Sequence, residues 1–140
     1  MAFLKNVKSR WNDDLSRLTW QEFECLIADY YQALGYKVQH VGTAASATQF
    51  DGGIDIKLFK ENEYIVVQCK HWNARQVTHN AVHELIGVMT TESASSAIII
   101  TSGEFTNAAV QAEKKTGGIE LIDGAEIRSL HCCGGNLKTD

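Results

Sequence analysis

Proline is absent from this 140-residue sequence, so no helix or strand end carries the punctuation that a fixed φ and a missing N–H supply. Long apolar runs are missing too. The longest β-like run is "AIIIT", residues 97–101, far short of the roughly 20 residues that cross a bilayer. The opening residues "MAFLKNVKSRW" hold neither an apolar h-region nor a small-residue cleavage site, which argues against a signal peptide. The expectation is a cytoplasmic protein with no membrane segment. Cysteine is sparse. Of the four, Cys25 and Cys69 lie in apolar segments and are expected as buried reduced thiols, while Cys132 and Cys133 are adjacent in a glycine-bearing tail. That spacing excludes the framework of a disulfide-rich secreted domain. "HCC" lacks a fourth ligand at metal-binding distance along the chain, so the tail reads as loose polypeptide. Internal repeats and low-complexity linkers are also absent.

What is present suits one compact domain with a real core: 44% hydrophobic and 21% charged residues. The net charge of −4 argues against a strong general affinity for nucleic acid, but not against a local basic surface. Lys5, Lys8 and Arg10 cluster near one end, and Lys57, Lys60, Lys70 and Arg75 around the middle.

Residues 1–15 carry Phe3, Leu4, Val7 and Trp11 at helical spacing, which predicts a short amphipathic helix. Thr19 and Glu22 form a T-x-x-E capping box, flanked by Leu18 and Phe23 as a hydrophobic staple. Phe23, Leu26, Ile27, Tyr30, Ala33 and Leu34 continue as an apolar stripe to a stop at Gly35. "YKVQHV" alternates as a strand, and the small, polar "GTAASATQFDGG" is a loop. Two strands then fold about "KENE". The segment "VTHNAVHELIGVMTT" places Val82, Leu85, Ile86 and Met89 on one helical face. "AIIITS" predicts a strand buried on both faces, "TNAAVQAEKKTGG" a helix from near Thr106 to Gly117, "IELID" a strand and "GAEIRSL" a terminal turn or helix. The order is α-β-β-β-α-β-α-β, an α/β fold with a mixed β-sheet flanked by helices.

The hairpin "DGGIDIKLFKENEYIVVQCK", Asp51 to Lys70, holds polar residues where a sheet would favour isoleucine or valine. By alternation Asp55 and Lys57 share one face of their strand, with Ile54, Ile56 and Leu58 opposite. Likewise Tyr64, Val66, Gln68 and Lys70 oppose Ile65, Val67 and Cys69. A turn near Asn62 gives antiparallel partners a residue-number sum of about 123 to 125. Either odd sum brings Asp55 across from Gln68 or Lys70 and unites the apolar faces. The intermediate register puts it across from Cys69. A carboxylate and an amide oxygen are hard ligands suited to Mg²⁺, and a neighbouring lysine can serve water or phosphate. Spacing alone leaves two accounts open: the wet face of a half-buried sheet, or a centre for phosphodiester hydrolysis. Gly52 and Gly53 permit close backbone approach beside these groups, or form a plain turn.

The blocks "FE", "LGYKV", "DGGIDIKL", "YIVVQCKHW", "IIITSGEFTNAA" and "IELIDG", in this order, resemble the Mrr-type restriction endonucleases, a branch of the PD-(D/E)xK nuclease superfamily. The resemblance runs from Leu18 to Leu130. It divides the chain into an N-terminal extension, 1–17, a nuclease domain with a restriction-endonuclease-like core, 18–130, and a flexible tail, 131–140. It implies that Asp55 is the catalytic aspartate, and that Gln68, Cys69 and Lys70 are the QxK motif. Asp55, Gln68 and the backbone carbonyl of Cys69 would hold metal, Mg²⁺ with Mn²⁺ as a substitute, and Lys70 would serve water and phosphate. Glu24 matches a helix-one glutamate that completes such sites, although it could instead flank the stripe as a solvated residue. Asp51 reads as a supporting acid. Gln68 replaces the commoner acidic residue and leaves the site one charge short, which places weight on Glu24. Lys57, His71, Trp72 and Arg75 are candidate DNA contacts, or else loop and strand surface. His79 and His83 lie four apart without an HExxH pattern, and read as a polar helix face.

The expected function is a metal-dependent DNA endonuclease of the restriction or defence type, with DNA as partner, a homodimer, and a separate recognition domain or subunit. The alternatives are a structure-selective, junction-resolvase-like nuclease and a catalytically silent DNA-binding or assembly module.

Overall fold

Helix entry at Thr19 is the sharpest local signal in the chain, and the computed structural model forms it fully. The structure describes residues 14–41, 53–71 and 76–129. A single turn, α1 (Asp14–Arg17), leads into α2 (Trp20–Ala33). The Glu22 N–H donates to Thr19 Oγ1 (3.1 Å) and the Thr19 N–H to Glu22 Oε1 (2.9 Å), so the box closes in both directions. Leu34 caps the other end and Gly35 follows at φ +99°, the left-handed position glycine suits.

The strands are β1 (Lys37–His40), β2 (Ile56–Lys60), β3 (Glu63–Lys70), β5 (Ser96–Thr101) and β7 (Ile119–Ile122), in the spatial order β1-β2-β3-β5-β7. Two short strands, β4 (Gln76–Val77) and β6 (Glu104–Phe105), pair separately in parallel, an element the alternation did not reveal. Helices α3 (His79–Glu92) and α4 (Asn107–Lys115) make the crossovers β3–α3–β5 and β5–α4–β7, so that half of the sheet is parallel. The β1-β2-β3 half is antiparallel. A last helical stretch spans 124–129. The fold is the expected mixed α/β sheet flanked by helices.

Two apolar layers cover the sheet. On one face Phe23, Ile27 and Tyr31 of α2 pack on Ile56, Leu58, Ile65, Val67, Ile98 and Ile100, with Ile127 from the last helix. On the other, Val82 and Leu85 of α3 and Ala109 and Ala112 of α4 pack on Val66, Ala97 and Ile99. Strand β5 is buried from Ala97 to Thr101, as its unbroken β-branched run requires.

Three expectations change. The buried face of α2 is Phe23, Glu24, Ile27, Ala28 and Tyr31, while Leu34 is exposed, so the true stripe is rotated toward Glu24. Cys25 is exposed for the same reason, and of the two described cysteines Cys69 alone packs against the core. Ile54 joins Val66 and Ile99 rather than Ile56, because the strand begins only at Ile56 and the turn at Gly53 (φ +77°) resets the alternation ahead of it. The expected N-terminal helix, apart from 14–17, and the HCC tail lie outside the described residues. Among those described, no helix is long and apolar enough to cross a membrane.

Replacing Thr19 by Ala should destabilise the fold by about 1 kcal/mol, and by Ser far less. Urea unfolding of the two variants beside wild type checks this.

Candidate active site

The hairpin register decides where the polar residues meet. Ile56 pairs with Val67 and Lys60 with Glu63, so each pair sums to 123, with Glu61 taking φ +55° in the two-residue turn. One step beyond Ile56, the Asp55 N–H donates to Val67 O (2.9 Å), and Asp55 O accepts from the Val41 N–H (2.9 Å). The Asp55–Val67 bond, with a sum of 122, departs from that register, so Asp55 shares Val67 with Ile56 at the mouth of β2 and leaves the ladder before reaching the expected place across from Gln68 or Lys70. Asp55 Oδ2 accepts the Cys69 N–H at 2.7 Å, which anchors the carboxylate to the strand that carries Gln68 and Lys70.

Helix α2 brings the second carboxylate. Glu24 is buried and hydrogen-bonds the Asp55 side chain. Burial, then the charge of Asp55, then that hydrogen bond push the Glu24 carboxyl up to about 8, so in the metal-free protein the pair holds a proton near neutral pH. The helix is pinned at this spot by His71, one residue past Lys70. The imidazole stacks on Phe23 (4.8 Å between centroids, 16°), and Nε2 lies 2.6 Å from Leu18 O and Nδ1 2.9 Å from Ser102 Oγ. A carbonyl can only accept, so Nε2 carries a hydrogen and donates it. The Ser102 N–H in turn donates to Lys70 O (3.2 Å), tying the ends of β3 and β5 together.

Lys70 closes the group. Burial lowers its ammonium below the usual lysine range, opposed by the charges of Glu84 and Asp55. Gln68 is buried, and its Oε1 has no hydrogen-bond partner among the described residues. A buried amide oxygen is costly to leave without a partner. Two carboxylates, one needing burial beside the other, and a bare amide oxygen are oxygen donors of the kind a divalent cation takes, so the residues fit one. Among the described residues no three His, Cys, Asp or Glu side chains group as a metal site. The candidate set of Asp55, Glu24 and Gln68 is not a group of that kind, its third member being an amide.

Of the other candidates, Lys57 lies farther along β2, 3.4 Å from Glu92 and over the Tyr64 ring at 5.9 Å. His71 is engaged internally on both ring nitrogens. His79 and His83 are exposed and 5.5 Å apart, without a third ligand among the described residues. Asp51, Trp72 and Arg75 lie outside the described residues. Ser102 and Glu84 were not anticipated. Two hydroxyls closing a buried β-branched run, Thr101 and Ser102, were the available sign of the first. Nothing in the pattern marks the second.

The comparisons agree with this architecture. A family model described as a restriction endonuclease, Mrr_cat, matches residues 15–131. No curated protein matches the chain in sequence. Among solved structures the chain is similar to the DNA modification-dependent restriction endonuclease AspBHI (TM-score 0.65, 16% identity, 96% of this chain and 35% of that one). It is also similar to a repair endonuclease from Pyrococcus abyssi (0.56, 15%, 76% and 47%). A third is a protein of unknown function, AF1548 (0.57, 15%, 70% and 54%). The chain thus spans about a third to a half of the length of these structures.

The raised Glu24 carboxyl sets a pH dependence. The folded protein keeps a proton up to about 8 that the unfolded chain releases near 4.5. The associated stability is complete below about 4.5 and is lost as pH rises toward 8, by up to about 1.4 kcal/mol per pH unit. Urea unfolding in EDTA between pH 5 and 8 should show this decline, and Glu24→Gln should flatten it.

Proposed function

The chain belongs to the Mrr_cat restriction endonuclease family, and from that premise we propose that it is a metal-dependent DNA endonuclease of the restriction or defence type. The observation that carries this reading is the buried Glu24–Asp55 pair with the partly buried Lys70 in the field of Asp55, at the end of the sheet where Gln68 Oε1 has no partner among the described residues. Open α/β sheets bind ligands at that end. The family match over 15–131 supports taking 18–130 as the nuclease domain.

Asp55, Glu24, the Gln68 amide oxygen and the Cys69 carbonyl would hold Mg²⁺, or Mn²⁺ in its place. Such an ion would supply positive charge for the phosphate and lower the proton affinity of the attacking water. The chain's own part is positioning and proton handling. Asp55 is held by the Cys69 N–H, and Glu24 by the docking of α2 on His71. Lys70, with its lowered proton affinity, takes the proton from the attacking water at Nζ and, once charged, neutralises the phosphate oxygen. The new P–O bond forms as the bond to the leaving deoxyribose oxygen breaks, and that oxygen takes a proton from solvent water. Asp51 would support the acids. Lys57, Trp72 and Arg75 would touch the DNA backbone, whereas His71 acts through α2. Double-strand cleavage calls for a homodimer, and choice of a particular base for a separate recognition domain or subunit.

A repair-type, structure-selective nuclease is the second reading, favoured by the fold shared with the Pyrococcus abyssi repair endonuclease. Cleavage of methylated plasmid, unmethylated plasmid and a four-way junction, side by side in Mg²⁺, separates the two. Lys70→Ala should slow cleavage about 10²–10⁴-fold with the melting temperature nearly unchanged, and EDTA should stop wild type. Undiminished cutting by Lys70→Ala would overturn the assignment and leave the binding-module alternative open.

A further inference from the structure

Gln68 raises a question that its chemistry alone does not answer. A primary amide is nearly symmetric in shape, and rotation by half a turn would present its NH₂ where the site needs an oxygen. Its long side chain is also among the more mobile types unless packed. Something must hold it.

The packing around it supplies the answer. Gln68 pairs with Ile99 in the β3–β5 ladder and follows the fully buried Val66 and Val67. Buried Ile54 belongs to the same apolar cluster as Val66 and Ile99. The far end of the amide comes to rest against the backbone of Gly53. A Cβ built there would overlap Gln68 Nε2 and stand 3.4 Å from Cδ. No other described glycine faces one of the candidate site residues in this way: the Cβ positions of Gly35 and Gly118 meet only ordinary contacts at 3.6 Å or more, and Gly124 faces Ser102 and Arg128.

We propose that Gly53 is a positioning residue: its missing side chain forms the slot that receives the NH₂ end of Gln68, and thereby fixes the orientation in which Oε1 is presented. This deepens the nuclease reading and rests on it for the identity of the bound cation. Gly53 also stands at φ +77°, so a substitution there strains the backbone as well as filling the slot. The two effects are separable. Asn tolerates positive φ better than Ala does, but both bring a Cβ. Gly118, at φ +89°, carries the strain without the slot, since its Cβ would sit 3.7 Å from Met89.

The test uses Gly53→Ala, Gly53→Asn and Gly118→Ala in the full chain, with two readouts besides activity. The first is the ¹⁵N side-chain amide resonance of Gln68 in the metal-free protein, identified by its loss in Gln68→Ala. The second is Mn²⁺ affinity by calorimetry. Both Gly53 variants should move the amide resonances and weaken Mn²⁺ binding about 10–100-fold. Gly118→Ala should lower stability alone. The proposal is overturned if Gly53→Asn restores wild-type resonances and affinity, or if Gly118→Ala weakens Mn²⁺ equally. Wild type that takes up no Mn²⁺ and cuts no DNA would refute the nuclease reading instead. The amide resonances would still decide whether Gly53 holds Gln68.

Discussion

The pairing of Ile56 with Val67 is the contact on which the rest of this structure depends. It sets the register of β2 against β3, and a slip of one residue would turn every side chain of one strand to the wrong face. In the observed register Ile56, Leu58, Ile65 and Val67 all meet α2, so core burial and site assembly are satisfied by one choice. The same choice carries Asp55 to the Cys69 N–H and within reach of Glu24.

Holding two carboxylates together in a partly dry site is unfavourable, and the structure offsets that cost by apolar packing on either side. Phe23 precedes Glu24 and is fully buried, stacked on His71. His71 in turn reaches Leu18 and Ser102, so one imidazole links the start of α2 with the ends of β3 and β5. The polar centre therefore sits among some of the most firmly packed residues in the chain. Groups held so rigidly need not reorganise when a ligand arrives.

Much of this was legible beforehand, for identifiable reasons. The capping box at Thr19 and Glu22 is a local chemical pattern, and it closed as expected. The run Ala97–Thr101 could only be a central strand. Hairpin geometry restricted the register to a few sums, and the observed 123 of β2 against β3 was among them, although Asp55 itself leaves that ladder. The burial of Glu24 was not legible from periodicity, because Leu26 and Leu34 pulled the apparent stripe to the other side of the helix. The short β4–β6 pair escaped for a related reason, since two residues are too few to show alternation.

The sequence by itself determined the order of elements, the strand registers open to the hairpin and the residue types available for chemistry. These are short-range consequences of hydrogen bonding, alternation and capping. Only the tertiary structure decided that Glu24 turns inward, that His71 bonds to Leu18 and Ser102, and that Gly53 lies against Gln68. Each of those depends on how α2 and the sheet dock in three dimensions, where close packing between segments distant in sequence selects among faces that local patterns leave equivalent.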